Sequence, residues 1–266
     1  MGKQRELYKR WKEARLTLGA IFNPADHSVV IHYSCESFYG RENNPRSPRV
    51  TSIAIRNLAS GQTRSFSIHL LAERHGLLDS IEDHFDRLER EMLDEFYQAV
   101  REKQHCRWVH WNMRDANFGF EALDNRMRAL GGIPTSVPED HRVDLSRLLI
   151  DIYGHGYIGH PRIEKLMQFN KVVPRDFLNG QEEADAFDRR EFIRLHQSTL
   201  RKVDVLANFA GKAQFNSLRT QSSWWEQHGK SVKAAAEFLR EHWIVAAIVT
   251  AAGAAAKIFH AWKLLH

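Results

Sequence analysis

The stretch Trp108-Val109-His110-Trp111-Asn112-Met113-Arg114-Asp115-Ala116-Asn117-Phe118-Gly119-Phe120 is where this chain has the residue types for chemistry. It reads as a short buried strand that ends abruptly in polar groups. A helix then opens at Phe120, runs to Leu130 and is closed by Gly131-Gly132. Polar side chains at the end of a core strand are costly to bury unless something binds them. Asn112, Arg114, Asp115 and Asn117 are therefore the first groups to consider for a polar ligand. Other chemistries find less footing. No Ser/His/Asp or Cys/His constellation stands at recognisable spacing, and His155, His160 and His196 read as scattered surface or loop histidines. Gly154, Gly156 and Gly159 follow a strand but lack the helix-opening context of a phosphate-binding loop.

These groups need a scaffold, and the chain is long enough to bury a full core. Its 266 residues, 43% hydrophobic and 27% charged, have ordinary globular composition. A net charge of +5 permits a polyanionic partner such as nucleic acid or an anionic membrane surface. Much of the basic excess is local, with Lys3, Arg5, Lys9, Arg10, Lys12 and Arg15 crowding the N-terminal region. The two cysteines, Cys35 and Cys106, form no CxxC motif, which argues against structural zinc or a disulfide framework and fits a reducing cytosolic setting.

The spacing of apolar residues predicts a basic amphipathic helix over 3–18, with Leu7, Trp11, Ala14 and Leu18 on one face, broken at Asn23-Pro24. Val29 to Glu36 reads as a central strand, and Gly40 to Pro48 as a loop. Arg49 to Asn57 and Thr63 to His69 alternate around Ser60-Gly61 as a hairpin. A strong amphipathic helix is expected over 80–103. Val143-Asp144-Leu145 starts a fifth strand that runs into Leu148 to Tyr153, and helices follow near 162–170, 182–196 and 198–216. The order is βββαβαβ. The expected organisation is an N-terminal helix (1–24), a central domain (25–216), a linker helix (217–241) and an apolar C-terminal helix (242–266).

Trp243 to Ala256 carries no charge, and Lys257 to Trp262 continues the apolar run. Trp243 and Trp262 would lie ~29 Å apart on a straight helix at ~1.5 Å per residue. That is close to a ~30 Å hydrocarbon core with tryptophan at both interfaces. The segment reads either as a membrane span, with a cytoplasmic domain anchored to the inner membrane, or as an Ala-rich helix packed on the domain or on another copy in a homo-oligomer.

The element order resembles the ribonuclease H-like fold, an α/β class with a mixed five-stranded sheet flanked by helices. Several landmarks over residues 28–212 resemble the DEDD superfamily of proofreading-type 3′–5′ exonucleases. Where that family ends its first strand in Asp-x-Glu, this chain has Ser34-Cys35-Glu36. His75-Gly76 resembles the family's His-Gly pair, and Trp111 to Phe118 resembles its second motif. Asp144 stands where a later strand commonly starts with Asp, and Ile163 to Leu166 resembles a Leu-x-x-Leu turn. The last motif, an acid five residues after a His or Tyr, appears as Thr199 to Asp204. The resemblance implies Glu36, Asp115 and Asp204 as catalytic acids holding Mg²⁺ or Mn²⁺, with Asp144 as a further ligand. It implies Asn112, Arg114, Asn117 and Arg201 on the substrate, with Arg41 and Arg46 available to a nucleic-acid backbone. Two-metal hydrolysis needs several carboxylates converging on ions ~4 Å apart. Ser34, Thr199 and Asn117 depart from the pattern at that chemistry, unless His196 reaches across to replace the missing base.

Each acid also has a structural use. Glu36 could cap its loop, Asp115 could start a helix, Asp204 could pair with Arg201 or Lys202, and Asn112 could bond loop backbone. Two function readings follow. One is a divergent metal-dependent nuclease of DNA or RNA. The other is a catalytically inactive ribonuclease H-like module that binds and signals through a C-terminal membrane helix, an arrangement seen in bacterial antiviral defence. A plain scaffold, with Trp224-Trp225 in an interaction helix, is a third.

Overall fold

A computed structural model describes residues 2–36, 47–114, 117–223 and 230–241. Its centre is a mixed five-stranded sheet in the order β3-β2-β1-β4-β5. The strands are β1 (Ser28–Cys35), β2 (Val50–Asn57), β3 (Thr63–Ser67), β4 (Arg107–His110) and β5 (Arg142–Asp144). β1, β2 and β3 pair antiparallel, while β1, β4 and β5 run parallel. The helices are α1 (Lys3–Ile21), α2 (Ile68–His75), α3 (Phe85–Glu102), α4 (Phe120–Ala129), α5 (Leu145–Tyr153), α6 (Arg162–Phe169), α7 (Gly180–Asp188), α8 (Phe192–Gln214) and α9 (Lys230–Glu241).

β1 is buried along its length because helices cover both faces. Val29, Ile31 and Tyr33 point into one core with β2, α2, α3 and α4. Val30 points into the other, against α1, α5 and α8. Alternation in the strand then places His32 and Ser34 on the α8 side with Val30. Burial of these two apolar layers is the main favourable term of the fold. Within the first core lies an ion pair: Arg126 Nη2 stands 2.5 Å from Glu89 Oε2, and the Val50 amide donates to Glu89 Oε1 at 2.6 Å. Burial pushes the Glu89 carboxyl up, against the pull of Arg126.

Several boundaries differ from the sequence reading. β3 stops at Ser67, and α2 begins where the second hairpin strand was expected to continue. Ile68, Leu71 and Ala72 are buried at helical spacing, so that segment packs as a helix. α3 starts at Phe85, with Leu78–Ser80 a separate short turn. The run after Val143 is helical: Leu145, Leu148, Leu149 and Ile152 bury one stripe, and the Asp144 side chain accepts from the Ser146 amide at 3.0 Å as a cap. The break expected near residue 197 falls instead at Arg189–Glu191, where Arg190 has φ 63°. Ser198 does not cap a helix. Its hydroxyl accepts from the Leu178 amide and donates to Glu183, so α8 runs through it for 23 residues.

α1 forms as expected and buries Ala14, Leu18 and Ile21. It also packs on α9, where the Arg5 amide donates to Glu237 at 2.9 Å. Residues 217–223 are not helical, so the expected linker helix is reduced to α9 among the described residues. The apolar helix expected over 242–266 lies outside the described residues. Among those described, no helix is long and apolar enough to cross a membrane.

Candidate functional site

The parallel strands β1, β4 and β5 end on one edge, and ligands in open α/β sheets bind outside such carboxyl ends. Asn112 makes the corner after β4 with a left-handed backbone, φ 55°, a conformation that Asn tolerates better than most residues. Its amide donates to Asp144 Oδ1 at 3.3 Å, and Arg114 Nη2 donates to its side-chain oxygen at 2.9 Å. Arg114 Nε completes the triangle 2.5 Å from Asp144 Oδ2. The fold thus brings Asn112, Arg114 and Asp144 together, joined to one another. Arg114 also bridges to Gly119, closing the loop that contains Asn117, which is exposed. Asp115 lies outside the described residues, as do Arg41 and Arg46.

Glu36 and Asp204 have partners of their own. Glu36 accepts from the Arg49 amide at 3.3 Å beyond the end of β1. Asp204 pairs with Arg56 Nη1 at 3.1 Å and Arg201 at 3.4 Å, its side chain 40% exposed. Arg56 is paired with Val30, four residues before Ser34, so Asp204 sits down the sheet from the end of β1. Arg201 is occupied by the same carboxylate. The resemblance implied Glu36, Asp115 and Asp204, with Asp144 as a further ligand. Of these, Asp204 is held by Arg56 and Arg201, Asp144 by Arg114 and the Asn112 amide, and Glu36 by the Arg49 amide, while Asp115 lies outside the described residues. Among the described residues, no group of three or more His, Cys, Asp or Glu is placed to hold a metal ion. Mg²⁺ and Mn²⁺ prefer several hard oxygen ligands, and the described carboxylates nearest α8, Glu183 and Asp204, are each paired with a cation.

What α8 turns toward the end of β1 is Thr199. Its hydroxyl is 2.8 Å from Ser34 Oγ and 2.7 Å from Ser52 Oγ. Ser34 in turn donates to Glu183 Oε1 at 2.9 Å. Each hydroxyl has one proton: Ser34 gives its own to Glu183 and Ser52 gives its own to Thr199, while the Thr199 proton is shared between Ser34 Oγ and the Leu195 carbonyl oxygen, 2.9 Å away. Ser198 adds another bond to Glu183 at 2.9 Å, and Lys202 Nζ closes its other oxygen at 2.7 Å. The relay ends in an ion pair between Glu183 and Lys202, where a nuclease would need carboxylates free for a cation. Ser34, Ser52 and Ser67 stand opposite one another across three strands, which gives α8 a polar row to cross.

Two openings flank this edge. A groove of about 710 Å³ runs beside β5 and α1, where Arg10, Arg114, Arg142 and Arg147 stand among the carboxylates of Glu13, Glu121, Glu139, Asp140, Asp144 and Asp151. His110 lies under it. Burial, with Arg114 and Arg142 adding to it and Asp144 opposing, lowers its pKa to about 4, so it is neutral at pH 7. The Met113 amide donates to its Nδ1 at 3.2 Å, which leaves the proton on Nε2. A second cleft of about 290 Å³ lies on the α8 side, lined by His32, Trp111, Asn112, Arg162, Gly180 and Lys202 among others. His32 is 7% exposed, and neither ring nitrogen has a hydrogen-bond partner among the described residues. Burial, and then the Lys202 charge, hold its pKa well below the ordinary value.

His196 does not stand in for the missing base. It packs against His69 with ring centroids 5.0 Å apart, and burial followed by the His69 charge lowers its pKa to about 4. Sequence reasoning missed His32, Ser52, Glu183, Arg162 and the inward turn of Lys202. His32 carried a legible signal, since it interrupts an otherwise apolar run in a doubly covered strand. Lys202 and Glu183 carried none, because nothing in their local sequence tells which helix faces which. No protein-family model matches the chain, and no curated protein matches it.

Proposed function

We propose that this chain is a ribonuclease H-like module that binds nucleic acid without hydrolysing it. The strand order and the mixed parallel and antiparallel pairing are those expected of that fold. The observation that carries the loss of catalysis is the relay from Ser52 through Thr199 and Ser34 to the Glu183–Lys202 pair. At the mouth of β1 a lysine ammonium already neutralises the nearby carboxylate, and the hydroxyls face one another. Support for a nucleic-acid partner comes from the net charge of +5 and from the basic residues Lys3, Lys9, Arg10 and Lys12 crowded on α1, while the groove at the β5 edge sets its four arginines among six carboxylates and adds none. In this reading the 243–262 segment carries the binding event to a membrane or to further copies of the chain.

The test uses the full chain with fluorescent single-stranded DNA and RNA. Binding should persist in EDTA, and its logarithm should fall linearly with log salt, by about 0.7 for each phosphate contacted. The oligonucleotide should stay intact in Mn²⁺. Hydrolysis in Mn²⁺ that Asp204→Asn or Asp115→Asn abolishes would overturn the proposal and restore the metal-dependent nuclease.

A further inference from the structure

The cleft on the α8 side is built differently from the groove beside β5, and its construction says what it takes. Two helices open into it. α6 begins at Arg162 with no side-chain cap, and α7 begins at Gly180, capped by Asn179, which takes only the Glu182 amide. First-turn amides left without an intrahelical acceptor carry partial positive charge toward whatever lies in front of them. A Cβ built on Gly180 would meet nothing within 4 Å, so the backbone is open to close approach. An independent observation points the same way. His32 lines the cleft, is 7% exposed and has both ring nitrogens unpartnered among the described residues, as is the buried Arg162 Nε. Buried polar groups in native proteins are almost always hydrogen-bonded, and exceptions call for an explanation such as a ligand.

Charge balance narrows the ligand. Lys202 is spent on Glu183, and Glu164 stands in the first turn of α6, so the cleft is not a general sink for anions. What remains is Arg162, an imidazole able to donate one N–H, and two sets of amides. That is a donor-rich, compact pattern suited to tetrahedral oxygens. The flanking walls, Trp111, Ile163, Phe177 and Leu178, are apolar. The volume of about 290 Å³ is at the small end of ligand sites.

We propose that this cleft is a metal-independent site for a phosphate monoester, held by His32, Arg162 and the first-turn amides of α6 and α7. The inference rests on the reading of the chain as a binding module and names which part of its ligand is recognised. The monoester belongs either to a free mononucleotide or to the terminus of a nucleic-acid strand.

The experiment uses the full chain in EDTA, with the His32 ring nitrogens followed by ¹⁵N NMR. Inorganic phosphate and AMP should each shift the His32 signals and compete with one another. His32→Leu and Arg162→Gln should each weaken AMP binding about tenfold, the second keeping the site measurable if the first disturbs folding. A 5′-phosphorylated oligonucleotide that outbinds its 5′-hydroxyl counterpart assigns the site to strand ends. AMP binding with no such discrimination assigns it to free nucleotide. Unmoved His32 signals with all three probes would overturn the inference. If the 5′-hydroxyl oligonucleotide still binds in EDTA in that case, the broader function stands and only this site falls.

Discussion

Replacing Thr199 by Val removes one hydroxyl and keeps the branched shape of the side chain, so it isolates the relay. Thr199 is fully buried, and its oxygen lies 2.7 Å from Ser52 Oγ and 2.8 Å from Ser34 Oγ. Ser34 keeps Glu183 as an acceptor, but Ser52 is left with a buried O–H and no partner among the described residues. An orphaned buried donor costs about 1–3 kcal/mol, and the lost Thr199 proton, shared between Ser34 and the Leu195 carbonyl, about 1 kcal/mol more. Thr199→Val should therefore destabilise the fold by about 2–4 kcal/mol in urea denaturation, with the slope on denaturant unchanged. A second variant sharpens the test. Ser52→Ala deletes the donor that the first change orphans, so the double variant should cost less than the sum by about 1 kcal/mol or more. A Thr199→Val protein within about 0.5 kcal/mol of its parent, or strict additivity in the pair, would refute the donation from Ser52 to Thr199.

Two other expectations follow from buried charge and buried imidazole. Arg126→Ala should destabilise by about 3–5 kcal/mol, because Glu89 is 0% exposed and would keep a charge with no cation beside it. Adding Glu89→Gln should recover part of that loss, and chemical denaturation measures both. The second concerns acid. His110 and His196 have pKa values lowered to about 4 by burial, while in the unfolded chain they titrate near 6.5. The unfolded state then binds protons first, so their contribution is whole above about pH 6.5 and is lost as pH falls toward about 4. The slope is at most about 1.4 kcal/mol per pH unit for each histidine. His32 and His69, also lowered, act in the same direction. A stability profile flat between pH 6.5 and 4, or an unchanged slope in His196→Gln, would contradict the assigned burial.

The amino-acid sequence by itself determined the five strands, the order of the main helices and the polar corner after β4. Those features rest on local rules: a β-branched apolar run in Val29 to Cys35, helical spacing in Phe85 to Val100, and polar residues following a short apolar strand. It went astray where a short apolar run fits either period, as at Ile68 to Ala72 and Leu145 to Tyr153. Which neighbours were available to bury one stripe settled those segments. The site was legible only in part. Asn112, Arg114 and Asp144 do meet, because β4 and β5 are adjacent and parallel. Asp204 does not join them, because the rotation of α8 about its own axis presents Thr199 to β1 and carries Asp204 to Arg56. That rotation is set by packing along the whole length of the helix, from Leu195 to Ala213, and by the serine row beneath it. No short motif encodes it. Whether an acid in this chain faces a ligand or a neighbouring arginine was decided by tertiary contacts between segments more than 100 residues apart.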